Sequence, residues 1–203
     1  MEINRKNHWE NIYQTKKPHQ VSWSQKSPET SLAFIKSFSQ DKTAKIIDVG
    51  GGDSNLVDHL IRKGYKNITV LDISEKALEK SKKRLGEKAK LITWINSDIT
   101  KFSPNTIYDI WHDRASFHFL TQKEQIETYV KTVNKCVKRN LILATFSKNG
   151  PQRCSGLEIT KYSEQSLSEI FKFGFKKTSC LLEDHETPFQ TKQNFLFCGF
   201  KKI

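Results

Sequence analysis

The sequence predicts an α/β domain: a doubly wound, mostly parallel sheet with helices on both faces, a helical N-terminal lid and a C-terminal antiparallel β-hairpin. Three observations carry this. Apolar runs at 45–49, 68–72, 91–95, 108–112 and 141–146 alternate with amphipathic segments, as expected of strands buried on both faces. The first run enters Gly50-Gly51-Gly52, where backbone can lie against something that a Cβ would exclude. Two alternating segments, 176–183 and 193–201, flank Thr187-Pro188 and read as a hairpin.

At 203 residues and 23.6 kDa the chain suits one domain, with an arm over 1–40 and a core over 41–203. Its 34 cations outnumber 22 anions, a net charge of +12, which favours an acidic partner or nucleic acid. Only six of those cations are Arg, the residue suited to bidentate phosphate contacts, so a nucleic-acid partner is not expected. The densest run, Lys76, Lys80, Lys82, Lys83 and Arg84, reads as a solvated helix face or a binding patch. Cys136, Cys154, Cys180 and Cys198 form no C-x-x-C pair and read as reduced, mostly core thiols, with no metal site. No apolar leader opens the chain and no run is long enough to span a bilayer, so a cytoplasmic, soluble protein is expected.

In order along the chain, His8, Trp9, Tyr13 and Trp23 place aromatics in a polar arm, as packing or as a lid over a ligand. Ser27 as N-cap and Pro28 predict a helix with Leu32, Ile35 and Phe38 on one face. Helices follow at 55–63, ended by Gly64, and at 75–85. Thr121 and Glu124 form a capping-box pattern that opens a helix to about residue 138. A long polar connection, 147–162, precedes a helix over 163–171; such loops are commonly functional.

Function is sought at the strand ends. A dinucleotide turn wants G-x-G-x-x-G, but Asn55 stands at the third glycine position, and Asp48 before the turn favours a cationic or zwitterionic ligand over a diphosphate. Asp72, twenty residues after Gly52, suits a carboxylate that accepts two ribose hydroxyls, or else caps the next helix. Asp98 ends a third strand within Ser97-Asp98-Ile99, and His112, Asp113, Arg114 and His118 cluster at the end of a fourth. Asp113 and Arg114 form either a structural ion pair or part of a site, and His118 is either a core histidine or a base.

The Asp-x-Gly-x-Gly turn, Asp72, Asp98 and the Asp109 to Asp113 strand end recur in the order that resembles the class I S-adenosylmethionine (SAM) dependent methyltransferases, whose sheet has seven strands. Trp-His-Asp-Arg-Ala-x-Phe-His-Phe-Leu from Trp111 and the later Arg153-Cys154-Ser155-Gly156 are similar to small bacterial members without a firmly assigned substrate. Ser54 departs from the family's third glycine. The resemblance implies a SAM site of Tyr13, Trp23, Asp48, Gly50, Gly51, Gly52, Asp72, Ile73, Ser97, Asp98, Ile99 and His112. It implies acceptor-side work for Asp113, Arg114 and His118, with Phe117, Arg153, Cys154 and His185 as substrate contacts. A small-molecule acceptor is expected. A protein lysine is the alternative, weakened because Asp113-Arg114-Ala115-Ser116 stands where elongation-factor lysine methyltransferases carry Asp-Lys-Gly-Thr. An idle SAM-binding regulator is the reading from another class.

Overall fold

The computed structural model describes residues 4–203; residues 1–3, part of the stretch read for a leader, lie outside them. An arm with α1 (Arg5–Thr15) and α2 (Glu29–Phe38) precedes β1 (Lys45–Val49), α3 (Leu56–Arg62), β2 (Asn67–Asp72) and α4 (Glu75–Leu85). Next come β3 (Ile92–Asn96), β4 (Tyr108–Arg114), α5 (Lys123–Cys136) and β5 (Val137–Phe146). A small ribbon of β6 (Arg153–Cys154) and β7 (Leu157–Glu158) is followed by α6 (Glu164–Phe171), β8 (Phe175–Glu186) and β9 (Lys192–Lys202). The seven long strands lie in the order β3-β2-β1-β4-β5-β9-β8. Pairing is parallel from β3 to β5, then antiparallel through β9 and β8. The winding reverses between β1 and β4, so their carboxyl ends open a crevice.

Neighbouring residues of each central strand feed opposite layers. Ile46, Ile110 and Ile142 pack with Leu32, Ile35, Leu56 and Leu60 of α2 and α3, whereas Ile47, Trp111 and Leu141 join Tyr129, Val133, Leu167 and Phe171 of α5 and α6. Burial on both faces is why these strands read as continuous apolar runs.

Several expectations need correction. α5 opens at Gln122, not on a Thr121–Glu124 box, and ends at Cys136 because Val137 already pairs with Tyr108 in the sheet. α2 starts from Pro28, while the Ser27 hydroxyl turns to Glu29 and caps nothing. Residues 147–162 are not featureless, since they hold the β6–β7 ribbon and a bridge from Ser147 to Tyr162. The four cysteines are not all reduced: Cys180 and Cys198 are directly opposed on β8 and β9, 4.3 Å apart at Cα, and are disulfide-bonded. Pairing register, not spacing in the chain, brings them together. Cys136 and Cys154 are free and buried.

One carboxylate of the arm meets three donors of the core. Glu10 accepts from the Glu75 N–H at 2.8 Å, the Lys76 N–H at 3.2 Å and the Ser74 hydroxyl at 2.9 Å, satisfying donors that the first turn of α4 leaves free. Burial alone would raise the Glu10 pKa, but these hydrogen bonds outweigh it and hold the group below the usual range. Replacing Glu10 with Ala is expected to cost about 1 kcal/mol in urea unfolding, and Glu10→Gln about half of that.

Candidate functional site

The glycine turn has no room for side chains. Gly50 and Gly52 sit at φ +68° and +40°, and a Cβ on Gly50 would lie 2.6 Å from the Ser116 Cβ. On Gly52 it would meet Asp72 Oδ2 at 2.8 Å and the Tyr13 hydroxyl at 2.9 Å, and on Gly51 Asp48 Oδ2 at 2.6 Å. Bare backbone here lets the acids of β1 and β2, the turn after β4 and the arm converge.

Two adjoining cavities share Tyr13, Trp23, Gly50 and Arg114. The first takes Asp72 and Ile73 from the end of β2, Ser97, Asp98 and Ile99 from the end of β3, and Ala115, Ser116 and Phe119 after β4. Asp72 is 5% exposed, and its Oδ1 accepts the Ser74 N–H at 2.8 Å. Ser74 itself caps α4, so Asp72 is free of that duty. Burial, despite the Ser74 N–H and with help from the Asp48 and Glu10 charges, lifts the Asp72 pKa to about 7. Asp98 is steadied by Thr100 and holds Arg5 of the arm at 3.1 Å.

The arm roofs this space with aromatic rings. Trp9 lies 5.6 Å from Trp23, 6.3 Å from Tyr13 and 5.0 Å from Phe119, the first and last edge-on. Such contacts suit a flat ligand beneath them.

The end of β4 departs most from expectation. Asp113 is fully buried: Oδ1 accepts from the N–H groups of Ser116 and Phe117 and Oδ2 from the Tyr129 hydroxyl, so it faces no cavity. Burial, against those hydrogen bonds, raises its pKa to about 6. It holds the turn in which Ala115 adopts φ +67°, a conformation that costs a non-glycine residue about 1–3 kcal/mol. That turn leaves Arg114 lining both cavities, its Nη1 donating to the Trp23 carbonyl at 3.1 Å. Nε and Nη2 are buried without a partner among the described residues, and of the two readings of Asp113 and Arg114 the structural ion pair is not formed. Desolvation lowers the Arg114 pKa to about 10.

His118 is not placed to act as a base. It is fully buried, stacked on Phe146 at 4.5 Å, and burial followed by the Arg114 charge lowers its pKa to about 3. Phe117 belongs to the core between Tyr129 and Tyr162. His185 donates to the Ser22 carbonyl, fastening the arm, and Arg153 is exposed beside Glu158. Only Cys154 of the expected substrate contacts reaches the first cavity, with burial raising its thiol to about 11. Asp48, Gly51 and His112 line the second cavity. Sequence reading gave no site role to Arg5, Ser31, Ala115, Phe119 or Phe146, although Ala115 and Phe119 stand in the motif from Trp111 and Arg5 in the arm's polar-aromatic stretch.

An acid for a diol, an acid beside an apolar slot, bare glycine backbone and an acid before the turn fit an adenosyl ligand bearing an ammonium. The architecture is that of the class I, Rossmann-like methyltransferases. Residues 46–140 match the family described as "Methyltransferase domain". N-methyltransferase NodS from Bradyrhizobium japonicum, solved with S-adenosylhomocysteine, superposes with a TM-score of 0.74 at 13% identity over 98% of this chain and 99% of that one. EEF1A lysine methyltransferase 2 from Danio rerio is 24% identical over 89% of this chain and 71% of that protein. Malonyl-[acyl-carrier protein] O-methyltransferase from Anoxybacillus flavithermus is 32% identical over 50% of this chain, which spans 38% of that protein. Residues 46–140 thus carry a methyltransferase domain, and the chain as a whole has the fold of the SAM-dependent methyltransferases of class I. No helix among the described residues is long and apolar enough to cross a membrane.

A carboxylate accepts two hydroxyl donors best when ionised, and burial lifts the Asp72 pKa to about 7, so an adenosyl ligand held there would draw off its proton. SAM affinity is therefore expected to rise with pH up to about 8 and to fall towards tenfold per unit well below pH 7. Calorimetry at pH 6, 7 and 8 reads this, and Asp72→Asn is expected to flatten the trend at weaker affinity.

Proposed function

We propose that the methyl acceptor is a small molecule that reaches the first cavity already deprotonated and seats an anionic group on Arg114. The carrying observation is the desolvated Arg114 guanidinium beside a roof of aromatic rings, with Nε and Nη2 lacking a hydrogen-bond partner among the described residues. SAM supplies an electrophilic methyl: a bond forms from the acceptor to that carbon, the C–S bond breaks, and its electron pair returns to sulfur.

A protonated acceptor would need a general base. Among the described residues Asp113 and His118 stand behind the cavity wall, and burial keeps the Tyr13 hydroxyl and the Cys154 thiol protonated. An anionic acceptor needs none. Arg114 supplies charge-assisted hydrogen bonds that orient it, and the rings exclude water from its apolar body. A lysine acceptor, the reading favoured by the zebrafish relative, would bring an ammonium against that guanidinium and then have to lose a proton. The malonyl group in the O-methyltransferase's name is, by contrast, an anion.

The test is methyl transfer from labelled SAM to a panel of small carboxylic acids and phenols, alongside lysine-containing proteins. Arg114→Gln is expected to raise the acceptor KM by about 100-fold with SAM affinity changed less than about threefold. Transfer to protein lysine alone would contradict the proposal. So would a variant that loses SAM affinity but keeps the acceptor KM, because Arg114 would then serve the cofactor's carboxylate.

A further inference from the structure

Three groups from three separate elements meet in the second cavity in a line that the acceptor chemistry does not use. His112 on β4 is the direct register partner of Asp48 on β1, and its Nδ1 lies 2.7 Å from Asp48 Oδ1. Its Nε2 lies 2.9 Å from the hydroxyl of Ser31, which α2 brings down on to the sheet. All three are at least 97% buried and all line the cavity.

The remaining oxygen of Asp48 points elsewhere. Oδ2 is 2.6 Å from where a Cβ on Gly51 would stand, and it has no hydrogen-bond partner among the described residues. An imidazole that donates Nδ1–H to Oδ1 fixes the carboxylate plane and leaves Oδ2 towards the glycine turn. Nε2 is then left to accept the Ser31 hydroxyl, which fixes the ring in turn. Such an outer hydrogen bond commonly orients a ligand-binding group.

We propose that His112 and Ser31 are positioning residues for the amino-acid end of SAM: they aim Asp48 Oδ2 at the ligand's ammonium, so that the chain discriminates ligands by that group. The adenosine contacts at Asp72 and Asp98 lie at the ends of other strands and are not part of the relay.

The test compares SAM with 5′-methylthioadenosine, which keeps the adenosine and lacks the amino-acid end. Both are titrated calorimetrically into wild type, His112→Phe, His112→Asn and Ser31→Ala. The Phe variant is expected to lose about tenfold or more in SAM affinity with methylthioadenosine affinity held within about twofold. Asn presents an N–H near the position of Nδ1 and is expected to recover most of the loss. Ser31→Ala is expected to cost about threefold for SAM alone, and it carries the test if the Phe variant does not fold. Equal losses for both ligands, or none, would overturn the proposal. Failure of wild type to bind either ligand would instead overturn the cofactor site.

Discussion

Everything at this site depends on the absence of side chains at residues 50–52. Asp48, Asp72, Ser116 and Tyr13 all press within 3 Å of where a Cβ would be, so the turn is a junction shared by two strands, a loop and the arm. Because the chain doubles back with positive φ at Gly50 and Gly52, the acids at the ends of β1 and β2 face one crevice. Adding even one methyl there would force β4's exit turn or the arm outward.

Burial then decides which charged groups act. Asp113, His118 and His185 look equivalent to Arg114 as candidates, yet each is spent on internal bonds: the first on a strained turn, the second on stacking, the third on fastening the arm. His118 Nε2 also lacks a partner among the described residues but lies behind the wall, whereas Arg114 has two nitrogens without one and lines both cavities. A buried polar group without a partner is costly, and it is tolerated where a ligand supplies the missing bond. The same reasoning separates Asp48, held by His112, from Asp72, whose carboxylate is left to change protonation near neutrality.

The sheet was legible because its strands are buried on both faces and its helices are amphipathic, signals that a local pattern carries. Three acids at the sheet's edge were legible for a related reason: each lies near the end of an apolar run or just beyond it, so position along the strand places Asp48, Asp72 and Asp98 at one edge. The acceptor side was not. Whether Phe117 or Phe119 faces the cavity depends on the 3₁₀ turn that Asp113 organises, and nothing in Ala115-Ser116-Phe117-His118-Phe119 shows its phase. Ser31 and the Cys180–Cys198 pair were hidden because they come together only through helix docking and strand register.

The most direct test of the account is calorimetric titration of wild type and Asp72→Ala with S-adenosylhomocysteine and with NAD. The account predicts micromolar binding of the adenosyl ligand, weakened by about a hundredfold or more on substitution, and no binding of NAD. NAD binding in place of S-adenosylhomocysteine, or adenosyl binding indifferent to Asp72, would contradict it.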